Sequence, residues 1–81
     1  MAKEAYMLTE KKRVMMTILS KINHATFAED KVLSLKKLRA ESAMQLGISG
    51  KKFDEYIQNF VDMGKASIDG DDLIAVKTNG E

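Results

Sequence analysis

The chain of 81 residues contains no cysteine, no proline and no tryptophan, and it has a single histidine, His24. Without cysteine there is no disulfide, no thiolate nucleophile and no thiolate metal ligand, and a fold that forms without such cross-links suits a reducing cytoplasm. One histidine, in a segment that reads as an exposed loop, supports neither a Ser-His pair nor a histidine metal cluster. We therefore expect no enzyme, no catalytic residue, no metal site and no cofactor.

Long apolar stretches are also missing. No uninterrupted apolar run exceeds four residues, the length of Leu73–Val76, which is far too short to span a membrane. The first residues, Met1–Glu4, lack the apolar stretch of a signal peptide. The length predicts a single domain over residues 1–81, with an N-terminal arm at 1–8 and a frayed tail at 78–81. We expect a cytoplasmic or nucleoid-associated location and no membrane partner.

Charge is divided unevenly along the chain. Residues 1–39 carry nine Lys and Arg against four acids, whereas residues 40–81 carry four Lys against eight acids. The net charge of +1 therefore hides a basic half and an acidic half. This division predicts a surface with one basic and one acidic side, although both sides could also be merely solvated.

Hydrophobic periodicity predicts two helices in the first half of the chain. The first covers residues 9–22, with Thr9 as its N-cap and one apolar stripe. Residues 24–33 have no clean period and are expected to form a loop with Phe27 in the core, leading to a very short strand at 31–34. Ser34 then caps a second helix over residues 35–46.

The second half predicts a third helix and a hairpin. Ser49 caps a helix over residues 50–63, in which the apolar positions follow an i, i+3, i+4, i+7 and i+8 pattern. After Gly64 the period changes to two, which predicts a β-hairpin over residues 65–77 around Asp69–Asp72. The expected core consists of Val14, Ile18, Leu38, Ile48, Phe53, Ile57, Phe60, Ile68 and Leu73.

The segments Ser34–Leu38, Leu46–Ser49, Phe53–Phe60 and Met63–Ile68 follow one another as helix, tight turn, helix and glycine-initiated hairpin. This arrangement, which covers about residues 9–77, resembles the winged helix-turn-helix superfamily. The resemblance implies an α+β, mostly helical fold of three helices, a C-terminal hairpin wing and a very short first strand. It also implies a small transcriptional regulator that binds double-stranded DNA. From the small size and the lack of appended domains we expect a regulator of a phage, an archaeal virus or a bacterium.

By the same resemblance, the helix at 50–63 enters the major groove and the start of the second helix contacts phosphates. Lysines would meet phosphate or guanine, amides would pair with adenine, and Glu55 would accept from cytosine. The opposing interpretation of the same helix is an ordinary amphipathic helix with a solvated polar face. The candidate nucleic-acid-binding residues are Lys36, Lys37, Arg39, Ser49, Lys51, Lys52, Glu55, Gln58 and Asn59.

The presumed wing tip, Asp69 with Asp71 and Asp72, departs from the family pattern because carboxylates repel phosphates. An alternative function is therefore a protein-interaction module that docks on a nucleic-acid-processing machine through these aspartates, and a third is a structural subunit of a larger complex. The aspartates do not follow the ligand pattern of a calcium loop. We also expect a homodimer through Tyr6–Leu8 and the first helix, including Met16, since two-fold dimers commonly read DNA sites.

Overall fold

The computed structural model describes residues 2–77 of the chain, and the side chains from residue 10 onward. Within that part, three α-helices and a small antiparallel sheet form an α+β fold, and no helix is both long and apolar enough to cross a bilayer. The predicted tail at 78–81 lies outside the described residues. In chain order the elements are helix α1 Ala2–Asn23, a π-helical turn His24–Ala28, strand β1 Leu33–Ser34, helix α2 Leu35–Leu46, helix α3 Gly50–Asp62, strand β2 Ala66–Asp69 and strand β3 Asp72–Ala75.

Local sequence signals set the boundaries of α2 and α3. The Oγ atoms of Ser34 and Ser49 accept hydrogen bonds from the backbone N–H groups three residues later, at 3.3 Å and 3.1 Å. These bonds satisfy amide donors that a helix leaves unpaired in its first turn. Gly47, after α2, adopts a left-handed φ of 69°, which glycine tolerates without steric cost. Both predicted serine caps are confirmed.

The sheet has the strand order β1-β3-β2 and is antiparallel throughout. Leu73 in the central strand pairs with Leu33 on one side and with Ile68 on the other. A two-residue turn joins β2 to β3, and its first residue, Gly70, has a φ of 66°. Glycine at this position is typical of a type II′ hairpin turn.

The core lies between the helices and one face of the sheet. It is built from α1, α2, α3 and the inward positions of β2 and β3, and Phe53, Phe60, Ile18, Ile22 and Leu73 are its largest fully buried side chains. The predicted core positions Ile18, Leu38, Phe53, Ile57, Phe60 and Leu73 are confirmed as buried. Val14 and Ile48 are partly buried and pack against that core.

Two expectations for the first third of the chain were wrong. Helix α1 begins at Ala2, not at Thr9, because the preceding residues include strong helix formers and no residue that stops a helix. Phe27, expected in the core, is 53% exposed, and Ala25 is buried in its place. The predicted loop begins with a π-helical turn, whose wider backbone directs Ala25 inward and Phe27 outward.

The hairpin is also shorter than expected. The strand predicted at 31–34 is limited to β1, and the hairpin strands cover 66–69 and 72–75. Ile68, expected in the core, is 39% exposed, because β2 is an edge strand with a neighbouring strand on one side only. Met63, the last residue of the predicted third helix, lies just after α3 as its C-cap and is 53% exposed.

Candidate nucleic-acid interface

Helix α3 separates its apolar and polar residues cleanly. Phe53, Tyr56, Ile57 and Phe60 are buried, and this fixes which side of the helix faces solvent. The exposed side of α3, with its N-cap, carries the candidates Ser49, Lys51, Lys52, Glu55, Gln58 and Asn59. The helix therefore presents two cations, two amides and one of its carboxylates on accessible surface.

Two of these candidates already have hydrogen-bond partners within the chain. Ser49 Oγ accepts from the N–H of Lys52 at 3.1 Å, so its oxygen serves the helix cap first. Gln58 Nε2 donates to the carboxylate of Asp62 at 2.9 Å, one turn further along α3. Among the described side chains, no hydrogen bond involves the amide of Asn59. Asn59 is therefore the amide on this face that is not held by a neighbour.

The N-terminus of α2 is occupied by the tip of the hairpin. Asp71 Oδ1 accepts from the N–H of Lys36 at 3.1 Å, and Ser34 Oγ donates to Asp71 Oδ2. The backbone carbonyl of Asp71 accepts from the N–H of Leu35 at 2.8 Å. The N–H of Lys37 is bonded to Ser34 Oγ. The first N–H groups of α2 are therefore hydrogen-bonded within the protein. Only the side chains of Lys36 and Lys37 remain available to contact a phosphate.

This arrangement changes the interpretation of the acidic turn. The hydrogen bond from Ser34, the N–H of Lys36 and the nearby ammonium of Lys36 lower the pKa of Asp71 below its usual range. Asp71 thus stays ionised and caps α2, which favours an anion at its N-terminus. Asp69 and Asp72, in contrast, are exposed strand residues. Of the three aspartates assigned to a partner surface, Asp71 instead connects the hairpin to α2.

Arg39 also has an intramolecular partner. Its Nε and Nη2 atoms donate to the two carboxylate oxygens of Asp54 at 3.2 Å and 3.3 Å, which joins α2 to the N-terminal half of α3. The guanidinium lies across Gly50, where an added Cβ atom would meet Arg39 Nη2 and the guanidinium would have to shift. Glycine at this position therefore leaves room for the guanidinium where it lies. In this arrangement Asp54 neutralises the cation that was expected to contact a phosphate.

Four candidate lysines form no salt bridge within the described residues. Within the described part of the chain, no carboxylate lies within 4.0 Å of the ammonium groups of Lys36, Lys37, Lys51 or Lys52. They extend from the first turns of α2 and α3, and all four residues are exposed. Helices α2 and α3 pack on each other, with Arg39 and Asp54 between them. The structure thus leaves two lysine pairs available at the starts of two contacting helices.

Among the side chains described, those of residues 10–77, no group of three His, Asp or Glu residues is positioned to hold a metal ion. The exposed His24 lies 3.5 Å from Glu29 as a surface pair. Lys11 lies 6.0 Å from the ring centroid of Tyr56, a cation–π contact that connects α1 to α3.

Comparisons of the sequence with protein-family models and with curated proteins, and a search of solved structures, found no match.

Sequence reasoning missed the residues that connect separate elements. Asp54 and Gly50 were not selected, because nothing in their local sequence indicates that a guanidinium from α2 lies beside them. Asp71 was selected, but for a partner surface and not as a helix cap. Asp71 lies 35 residues after Lys36, from whose N–H it accepts a hydrogen bond, so no local sequence pattern could predict this cap.

Proposed function

We propose that this chain is a winged helix-turn-helix protein that binds double-stranded DNA with α3 in the major groove. The observation that carries the proposal is a set of four exposed lysines without a salt bridge in the described part of the chain, at the starts of α2 and α3: Lys36, Lys37, Lys51 and Lys52. The order of three helices, a first strand and a hairpin is compatible with a winged-helix layout. A regulator of transcription is the function that such binding would serve.

The lysines would supply affinity, and the middle of α3 would supply sequence preference. Neutralising phosphates releases counterions, so Lys side chains contribute binding that is independent of sequence. Gln58 and Asn59 lie on the exposed side of α3, seven residues after Lys51 and Lys52. An amide at such a position can pair with adenine in the major groove. Glu55 would accept from a cytosine amino group and would repel phosphates. Arg39 positions α2 against α3 through Asp54.

A salt-dependent titration with random duplex DNA tests the proposal. Four phosphate contacts predict a log–log slope of affinity against salt near about −3.6, from roughly −0.9 per contact. Lys51→Ala or Lys52→Ala should reduce the magnitude of the slope by about one. Lys65→Ala is the matched control, since it removes one positive charge beyond the opposite end of α3 and should leave the slope unchanged.

Sequence preference is measured separately from the slope. Asn59→Ala should alter selection from a randomised duplex library while the salt slope stays at its wild-type value. If the wild-type chain shows no affinity for random duplex even at low salt, DNA binding is refuted.

A protein-interaction module is the second candidate function. The observation that favours it is the exposed pair of Asp69 and Asp72, which have no cation within 4.0 Å among the described residues. Carboxylates at this position would attract a basic protein surface and repel a phosphate. Absence of DNA binding, together with loss of protein capture in Asp69→Asn/Asp72→Asn, would favour this function.

A further inference from the structure

The sheet leaves one of its two faces uncovered. Burial alternates along β3, where Leu73 and Ala75 face the helices while Asp72 and Ile74 face solvent. Val32 is 55% exposed and Ile74 is 37% exposed, so this outer face offers apolar surface. It forms a shallow groove of about 200 Å³, here called the acidic groove, lined by Val32, Ser67, Asp69, Asp72 and Ile74.

Two carboxylates at one end of the groove stand directly opposite each other. Asp69 and Asp72 are cross-strand partners in the register of β2 and β3. Like charges in such a pair are destabilising, because the Cβ atoms are only about 5 Å apart. The intervening Asp71 is hydrogen-bonded to the N-terminus of α2. No cation of the described residues lies within 4.0 Å of the carboxylates of Asp69 or Asp72. A cation from outside the chain would therefore relieve this repulsion.

The exposed side of α1 has the complementary character. Lys12, Met16 and Ser20, here called the α1 stripe, are spaced four residues apart and are all exposed, and Met16 is 56% exposed. The stripe lies on the side of α1 away from the buried Ile18 and Ile22. It combines an ammonium group with an apolar side chain, as the acidic groove combines carboxylates with apolar side chains.

We propose that the α1 stripe of one copy of this chain docks in the acidic groove of a second copy. Lys12 then lies beside Asp69 and Asp72, and Met16 packs against Ile74. A second copy is the occupant because one chain carries both complementary surfaces, on its basic half and on its acidic half. The contact is independent of the proposed DNA binding.

Such a contact is head-to-tail, so each copy would use its stripe with one neighbour and its groove with another. Heterologous contacts that do not close into a ring produce open chains. The two-fold dimer predicted from Tyr6–Leu8 and α1 would instead use the same surface of both copies. The two arrangements therefore make different forecasts for variants that lack one surface.

The test uses two variants, each with one surface disabled. Asp69→Lys/Asp72→Lys reverses the charge of the groove and keeps a like-charged cross-strand pair. Lys12→Glu/Met16→Ser disables the stripe. Glu41→Lys, at an exposed acidic position on α2, is the matched control and should assemble like the wild type. Far-UV circular dichroism and thermal melts of each variant establish that it is folded.

Sedimentation velocity at low ionic strength provides the readout. The wild-type mass should rise with concentration and fall to that of a monomer at about 1 M salt, where the Debye length is about 3 Å. Each variant alone should be monomeric, and an equimolar mixture should form a dimer and nothing larger, because one intact stripe meets one intact groove. Wild-type amide shifts of Val32, Ser67 and Ile74 should also change on dilution, which requires no variant.

Three results would overturn the proposal. A wild-type chain that stays monomeric at high micromolar concentration has no such contact. A stripe or groove variant that still dimerises alone indicates a two-fold contact or a different surface. A mixture that associates no more than its components shows that the stripe and the groove are not partners.

Discussion

The hydrogen bond between the π-helical turn and the central strand should contribute measurably to stability. Thr26 Oγ1 accepts from the N–H of Ala75 at 2.9 Å, and Ala75 is 5% exposed. Thr26→Val keeps the shape and the β-branching of the side chain but removes the acceptor. Thr26→Ser keeps the acceptor and removes a methyl group. The pair of variants therefore separates the hydrogen bond from the packing.

The expected magnitude follows from the burial of the donor. Leaving a buried N–H without a partner costs about 1–3 kcal/mol, and this bond is partly buried, so we expect Thr26→Val to lower the free energy of unfolding by about 1–2 kcal/mol. Thr26→Ser should cost at most about 0.8 kcal/mol, the value of one buried methylene. In a domain of this size, each 1 kcal/mol shifts Tm by roughly 4–8 °C.

Urea unfolding followed by circular dichroism measures the free energies, and amide hydrogen exchange reports on Ala75 directly. The Ala75 amide should exchange faster in Thr26→Val than in Thr26→Ser, beyond the change expected from global stability. The reasoning is refuted if Thr26→Val is as stable as Thr26→Ser and the exchange of the Ala75 amide is the same in both.

Two further predictions concern the core and the cap of α2. Phe60→Ala should lower the free energy of unfolding by about 3–5 kcal/mol because of the cavity it leaves, enough to unfold much of so small a domain. A thermal melt measures this loss, and a loss below about 1 kcal/mol would contradict the packing described. Asp71→Asn should lower the free energy of unfolding at neutral pH. The lowered pKa of Asp71 stabilises the fold at pH values above the pKa of an unfolded aspartate, about 3.9. This contribution is lost as pH falls through the folded pKa, so wild type and variant should converge in acid, and a difference that persists there would refute the role of the charge.

Local sequence determined most of the helical framework. The serine caps at 34 and 49 and the glycine after α2 act on backbone groups within a few residues, so their effect can be predicted from neighbours alone. The apolar period of α3 likewise fixed which of its residues are buried and which face solvent. For the candidate interface, this was enough to predict that Lys51 and Lys52 are exposed.

The tertiary structure decided which of the candidate groups remain available. Arg39 meets Asp54 and Asp71 meets the first turn of α2 only after the helices and the hairpin have packed. Phe27 is exposed because the chain forms a π-helical turn, which no simple period predicts. The sequence alone therefore determined the positions of α2 and α3 and the faces they bury, because those depend on short-range periodicity and capping. Charge pairing between elements depends on distances that only the folded chain sets.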